Sequence, residues 1–390
     1  MLRVRSFLLQ GAVSVREGAA ERHDRLLNLV RERGTVRVSD LADRLGVATV
    51  TARRDVEALA SRGLLERAHG SVSWPAERGP AGTPVGGGPV IGMLAPAAAY
   101  YFAEVIRGAH EAAARLGARL ILRVTDYRPE DDAAHAAGLL AAGAQGLLLA
   151  PSWTAPDHPE RYGEWIARLP GEKVLVEREG VPGGPLEGLD RVVSDHAHGV
   201  LLAVRHLVRL GHGTPMLVAR SDSPTAQAVR AGFTRALAVL GLGLAGTEPL
   251  ITTVSGDRDP APFERSALAL RDAVRAGRAS SVLVHNDEDA IRLVRRLAEL
   301  GVRVPEDLAL ITYDDEVAAL ADTPLSAVAP PKRDVGRSAA ELLVERLSGP
   351  RYPGGDGRPP RRHVALLPAL RVRESCGRPG ADDADRLTAV

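Results

Sequence analysis

The sequence predicts two folded parts of different class: a small helical head over residues 20–74 and a large α/β body with parallel sheets over residues 90–373. Three observations predict this. Residues 20–60 carry helical periodicity interrupted by single glycines. From Val90 onward, short continuous apolar runs alternate with amphipathic stretches. Between them Pro75 to Pro89, PAERGPAGTPVGGGP, holds no apolar period and reads as a linker. A chain of 390 residues, 45% hydrophobic and 25% charged, suits two or three globular domains. Residues 1–19 are expected to be an unstructured extension and 374–390 a disordered tail.

In the head, His23, Leu26, Leu27 and Val30 fall on one face of a helix that Gly34 ends. A second helix starts with Ser39 as N-cap and turns Leu41, Ala42 and Leu45 inward, and Gly46 breaks it. A third, about Thr49 to Ala60, buries Ala52, Val56 and Leu59, and Gly63 closes it. Leu64 to Trp74 then alternates as a two-stranded ribbon turning at His69-Gly70. Three short helices and a ribbon describe a winged helix-turn-helix. Its third helix presents Thr49, Thr51, Arg53 and Arg54 outward. An arginine fork can grip guanine O6 and N7 or a phosphate, and threonine can bond a phosphate or touch a thymine methyl. Charge agrees: residues 1–74 carry 13 Arg against 9 acidic residues, while the remainder carries 37 basic and 40 acidic.

In the body, apolar runs at Val90–Leu94, Leu120–Val124, Gly146–Ala150, Val174–Val176, Val192–Ser194, Met216–Ala219, Leu250–Thr253, Val282–His285 and Leu308–Thr312 read as strands. Phe102–Leu116, Gly199–Leu210, Thr225–Leu240 and Glu288–Leu300 read as helices between them. Nine strands exceed one comfortable sheet, so two α/β lobes are expected. Ligands of open α/β sheets sit beyond the carboxyl ends of strands. Those places hold Tyr100, Tyr101 and Phe102, then Asp126, Ser152 and Trp153, Glu177 and Arg178, Asn286 and Asp287, and Asp314 and Asp315. Carboxylates that accept from vicinal hydroxyls, with Arg and Asn donating and rings covering a C–H face, suit a neutral polyhydroxylated ring.

Both parts resemble known families. Ser39-Asp40-Leu41-Ala42, Leu45-Gly46-Val47, Thr51-x-Arg53-Arg54-Asp55, Leu59, Gly63-x-Leu65-x-Arg67 and His69-Gly70 resemble the DeoR-family DNA-binding domain. The resemblance makes the third helix the recognition helix and the ribbon a wing. Arg67 and His69 then join Ser39, Thr49, Thr51, Arg53 and Arg54 as DNA-contacting candidates. Ala48 stands where that family usually has a capping Ser, and Ser71 replaces the second wing Gly.

The body, most specifically through Asn286-Asp287, Gly301–Asp315 and Gly336–Leu347, is similar to LacI-family effector domains and so to type I periplasmic sugar-binding proteins. That implies two lobes joined by three crossovers, closing on a small molecule, and a homodimer. Lobe 1 is expected over 90–190 and 324–345, and lobe 2 over 191–323 and 346–373. The resemblance places Tyr101, Phe102, Asp126, Arg178, Asn286 and Asp314 on ligand positions, with Gln227 in place of a frequent Arg and Pro330 in place of a frequent Gln. The missing Arg disfavours a purine or an anion. LacI-family proteins enter DNA with a helix-turn-helix and hinge helix of their own, and here a DeoR-like head replaces both.

The expected function is a cytoplasmic, DNA-binding transcriptional regulator, a repressor controlled by a sugar or polyol. Its partners are a double-stranded operator and a carbohydrate effector. No cofactor, metal, membrane partner or enzymatic step is expected. No run of 18 apolar residues occurs. Arg3 to Val15 faintly resembles a signal peptide but no small-x-small site follows it. Cys376 alone excludes a disulfide framework. His196-x-His198, with His206 and His212, lacks metal-ligand spacing and reads as a helix start. His285, Asp287 and Asp289 read as a capping turn before a helix near Glu288. A sugar-binding protein with an inert head, or a hydrolase or transferase, are the rivals. The first lacks an export signal, and the second lacks a nucleophile elbow or phosphate-cradling Gly loop.

Overall fold

A computed structural model of the chain describes residues 22–23, 25–27, 29–30, 35–61, 65–68, 71–73, 88–154, 157–242, 250–251, 260–349 and 359–377. The chain divides into two compact units between Val85 and Gly86, inside the expected linker. The extension 1–19, Gly34, Gly63, the His69-Gly70 turn and most of the linker lie outside the described residues.

The head contains α1 (residues 22–30 where described), β1 (Thr35–Arg37), α2 (Val38–Leu45), α3 (Thr49–Ser61), β2 (Glu66–Ala68) and β3 (Ser71–Ser73). Leu26, Leu27, Val30, Leu41, Leu45, Val56 and Leu59 meet in one core with Val36 and Val72 from the sheet and with Leu65, which precedes β2. Burying these side chains is the head's main source of stability. Two expectations need correction. The ribbon is three-stranded, in the order β1-β3-β2, because Thr35–Arg37 pairs antiparallel with β3. A three-residue strand is too short to show alternation. Ser39 is not an N-cap: the helix starts two residues earlier than expected, at Val38, Arg37 holds the cap place, and the Ser39 hydroxyl donates to Asp40 Oδ1 at 3.1 Å. Gly46 ends α2 in the left-handed region at φ 67°, donating to the Ala42 and Asp43 carbonyls.

The body has twelve described strands. Lobe 1 is a six-stranded parallel sheet in the order β14-β8-β7-β6-β4-β5. Its strands are β4 (Val90–Ala95), β5 (Arg119–Val124), β6 (Gly146–Leu149), β7 (Glu172–Val176), β8 (Asp190–Ser194) and β14 (His363–Leu366). Lobe 2 has the order β10-β9-β11-β12-β13-β15, parallel except for β15. It uses β9 (Pro215–Ala219), β10 (Leu250–Ile251), β11 (Ser281–His285), β12 (Ala309–Tyr313), β13 (Ser326–Ala329) and β15 (Ala369–Arg371). The helices are α4 (Tyr101–Arg115), α5 (Pro129–Ala141), α6 (His158–Arg168), α7 (His196–Arg209), α8 (Pro224–Val239), α9 (Ala261–Arg275), α10 (Asp287–Glu299) and α11 (Lys332–Ser348).

The three crossovers follow β8, β13 and β14, which corrects the expected lobe limits. Strands β8 and β14 belong to the lobe 1 sheet, α11 packs on lobe 1 as far as Leu347, and β13 belongs to lobe 2. The tail limit also moves. Leu310 N donates to the Ser375 carbonyl at 2.7 Å, Ser326 N donates to Ser375 Oγ at 2.8 Å, and Cys376 is buried. Residues 378–390 lie outside the described residues.

Helices α4 and α11 pack without room for side chains between them. A Cβ at 108 would collide with the Arg333 carbonyl, and one at 336 with the Val105 carbonyl. We expect Gly336→Ala to destabilise the body by about 1–3 kcal/mol or more, through overpacking against rigid backbone. Gly138→Ala on α5, where an added Cβ meets nothing within 4 Å, should instead stabilise by roughly 0.5–1 kcal/mol. Urea midpoints compare the two. At the head, the Thr51 and Ala52 amides donate to the Ala48 carbonyl at 2.8 and 3.1 Å, which makes Ala48 the N-cap of α3 with no side-chain acceptor. Ala48→Ser should add about 1 kcal/mol to head stability, read as a raised melting midpoint.

Candidate functional site

The first candidate surface is the outer face of α3. Ala52, Asp55, Val56 and Leu59 turn inward, and Thr49, Val50, Arg53 and Arg54 are exposed. Thr51 is half-buried, on the flank of that face. Asp55 fixes how the face is presented. It accepts from Arg22 Nε at 2.5 Å and Arg22 NH2 at 3.0 Å, and its Oδ1 lies 3.0 Å from His23 Nε2. The Arg22 bonds, outweighing burial, hold the Asp55 carboxyl below its usual range. The sequence marked Asp55 only as part of a matched string. Its ion pair reaches back more than thirty residues to α1, and nothing local signals that. Ser39 is exposed on α2. Arg67 stands on β2 with its side chain outside the described residues, as is all of His69.

The second candidate is the cleft where the strands of both lobes end. Among the described residues, six other than glycine have positive φ: Tyr100, Asp126, Tyr127, Glu177, Asp314 and Asp315. All six follow the carboxyl ends of β4, β5, β7 or β12. Backbone held in this region carries a cost that functional sites concentrate.

Tyr100 is the central residue. It precedes α4 in lobe 1, and its hydroxyl donates to Asp287 Oδ1 of lobe 2, with Asp314 Oδ2 at 3.4 Å. Asp287 Oδ2 in turn accepts the Glu316, Val317 and Ala318 amides at 2.6, 2.7 and 3.2 Å. Asn286 caps α10, its Oδ1 accepting from Asp289 N at 3.2 Å, so the expected capping turn is present. Lys332, which begins α11 on the lobe 1 side, donates to the Asp314 carbonyl and pairs with Glu316. Its Nζ also lies 5.2 Å from the Tyr101 ring centroid.

Burial pushes the Asp314 carboxyl up to about 6; Lys332 opposes that shift and the neighbouring Asp287 adds to it. Burial, with Arg220 and His196 adding, pushes His285 down to about 3, so its ring is neutral at pH 7. Burial also raises Asp222. Among the described residues, Asp314 Oδ1, Asp222 Oδ1, His285 Nδ1 and Gln227 Nε2 are buried without a hydrogen-bond partner.

The other expected ligand residues are distributed unevenly. Tyr101 and Phe102 are buried in the lobe 1 core, where the Tyr101 hydroxyl donates to Glu177 Oε1 at 2.8 Å. Arg178 lies over the Phe102 ring at 5.6 Å and donates to the Pro151 and Glu177 carbonyls, both at 2.7 Å. Trp153 is buried in a second lobe 1 cluster. Ser152 bonds Thr125, and its amide donates to Asp132 Oδ2 at 2.8 Å. Asp126 is exposed. Its neighbour Tyr127 is the residue that couples to the cleft. Its ring is half-exposed, while its hydroxyl is desolvated and within the fields of Arg178, Asp222, Arg220 and Asp314.

Sequence reasoning missed Tyr127, Arg220, Asp222 and Lys332. Arg220 donates to Asp289 Oδ2 at 2.8 Å. The position of Arg220 and Asp222 directly after β9 was an available signal, because the same strand-end rule covers them. His196 and His198 do open a helix, α7. Asp195 is its N-cap and accepts from His198 N at 2.8 Å.

Comparison with known proteins agrees with this arrangement. Residues 22–78 match the DeoR-like helix-turn-helix domain, and residues 204–376 match the periplasmic binding protein-like domain. The chain is 23% identical to the arabinose metabolism transcriptional repressor of Halalkalibacterium halodurans, over 86% of this chain and 89% of that one. It is 30% identical to the HTH-type transcriptional repressor PurR of Vibrio parahaemolyticus, over 66% of this chain and 74% of the relative. Among solved structures, a LacI family transcriptional regulator from Enterococcus faecium with bound ribose aligns at a TM-score of 0.55 and 25% identity, covering 75% of this chain and 99% of that one. A regulatory protein of LacI family from Chloroflexus aggregans aligns at 0.61 and 22%, covering 74% and 98%, and speaks for the fold alone. No described helix is long and apolar enough to cross a membrane. The chain belongs to the LacI-type transcriptional repressors, with a DeoR-like helix-turn-helix domain at its N-terminus and a periplasmic binding protein-like domain behind it.

Proposed function

We propose that this chain is a cytoplasmic, homodimeric repressor whose operator affinity is set by a neutral sugar or polyol held in the interlobe cleft. One observation carries the reading of the ligand. Asp314 Oδ1, Asp222 Oδ1, His285 Nδ1 and Gln227 Nε2 are buried, unpartnered, and gathered at the carboxyl ends of β9, β11 and β12 or in the first turn of α8. Buried polar atoms without partners cost free energy, and a ligand that satisfies them recovers it. Two carboxylates ask for hydroxyl donors. The Gln227 amide asks for a hydroxyl oxygen. A polyol supplies both from adjacent carbons, whereas a phosphate or carboxylate would meet Asp222, Asp287 and Asp314 at close range. The ribose bound by the Enterococcus faecium regulator supports a pentose as the first ligand to try.

Fluorescence anisotropy of the full chain on DNA from upstream of its own gene, at fixed salt and against scrambled competitor, tests the whole reading. Specific binding that shifts with D-ribose, L-arabinose or a mixed sugar pool supports it. No preference over scrambled DNA sinks it. Arg53→Ala should lower specific affinity at least about fivefold, roughly 1 kcal/mol, and by more than it lowers non-specific binding.

The pH dependence has a defined sign. Asp314 takes up its proton near pH 6, in the field of Lys332, Asp287, His196 and Arg220 and beside His285 and Tyr100. Its ionised form is the stronger acceptor for a ligand hydroxyl. Sugar affinity should therefore rise between pH 5 and pH 7 and level off above. Asp314→Asn should bind more weakly with no such rise. Ligand-induced thermal stabilisation, measured at each pH, reads both.

A further inference from the structure

We propose that Val50 is a base-reading residue of the head, and that it reads the C5-methyl of a thymine in the major groove. This rests on the assignment of the head as a DNA-binding domain and goes beyond the polar contacts assigned to Thr49, Thr51, Arg53 and Arg54. Val50 lies in the first turn of α3 and is 62% exposed. The other large hydrophobic side chains of the described head pack into its core; Val50 turns to the opposite side. A β-branched residue on a helix surface gives up rotamer freedom and here gains no burial in return. Its burial has to come from a partner.

Position says what the partner is. Residues 50, 53 and 54 are related by three and four positions, so Val50 shares one helix face with Arg53 and Arg54. No acidic residue stands in the first turn of α3. An apolar side chain flanked by two guanidinium groups suits an apolar spot inside an anionic surface, and does not suit an apolar protein face. The major groove of double-stranded DNA has one apolar group on its base edges, the thymine methyl. The arginines reach phosphate or guanine, and the short side chain of Val50 is left against the floor of the groove. The inward face of the same helix is fixed by Asp55 on Arg22 and His23, so Val50 is presented on a rigid element.

The test uses the full chain and DNA that it enriches from a pool of random duplexes. Each thymine of the enriched sequence is then replaced singly by deoxyuridine, which keeps base pairing and removes only the methyl. Affinity is measured by anisotropy at fixed salt. One thymine in each half-site should become about fourfold weaker as deoxyuridine, the worth of one buried methyl group. Val50→Ala should bind the thymine duplex more weakly and no longer distinguish it from the deoxyuridine duplex, while Val50→Ile keeps the distinction. Circular dichroism melting checks that the variants keep the wild-type fold, as exposure at this position implies. A flat deoxyuridine scan overturns the inference, and so does a thymine preference that survives in Val50→Ala. Both outcomes leave the DNA-binding assignment standing. Failure to enrich any sequence overturns that assignment and the inference with it.

Discussion

The close packing of α4 on α11 is the constraint on which the body depends. Gly108 sits against the Arg333 carbonyl and Gly336 against the Val105 carbonyl, so neither helix can move away without exposing backbone, and neither accepts a side chain in between. The contact joins chain segments more than two hundred residues apart. It brings α11 back to lobe 1 after lobe 2 has been built, which makes both lobes discontinuous and forces the crossovers to lie side by side. It also brings together the starts of the two helices. Tyr100 stands at the start of one and Lys332 begins the other, so two of the groups that reach from lobe 1 into lobe 2 are set by one helix pair.

What those groups reach is a set of buried carboxylates. Asp287 is satisfied by three backbone amides and the Tyr100 hydroxyl. Asp289 is held by Arg220, and Glu316 by Lys332. After these pairings the acceptors left over are on Asp314 and Asp222, and burial raises both of these carboxyls. Buried acids whose neighbours are already engaged are costly to keep. On the proposed reading, ligand hydroxyls at the ends of β9 and β12 would offset that cost.

Much of this was legible in the sequence, for a physical reason. A strand of a parallel sheet covered on both faces must be apolar throughout, so all nine runs chosen on that criterion appear as strands. Three strands were missed: β13 is a buried parallel strand but only four residues long and opens on Ser326, and the other two break the criterion. Strand β14 lies at the edge of its sheet, alternates partly exposed positions, and starts with His363. Strand β15 is three residues long and antiparallel. The lobe limits failed for a different reason, since nothing in the composition of Ser326–Ala329 says which sheet it joins. Site residues followed the same division. The strand-end rule found Tyr100, Asn286, Asp287 and Asp314. It could not tell Asp126 from Tyr127, because both follow β5 in left-handed backbone and only three-dimensional direction separates them. Lys332 was missed because the strand that ends three residues before it, β13, was not itself read from the sequence.

The lobes are closed by the protein's own side chains as well as by whatever ligand the cleft holds. The Tyr100 hydroxyl donates to Asp287, yet Tyr100 itself is held at φ 50° and ψ −127°, a region that side chains other than glycine's avoid. The hydrogen bond and the strained backbone therefore oppose each other within one residue. Separating the lobes would break the bond and free the loop to leave that region, and bringing them together would restore both. On the proposed reading, a ligand hydroxyl at Asp314, beside the Tyr100 hydroxyl, would add its free energy to the closed state. Differential affinity of this kind is what a ligand needs in order to shift a conformational equilibrium. On the proposed reading, the strain at Tyr100 would oppose closure without a ligand, and the Tyr100–Asp287 bond would favour it.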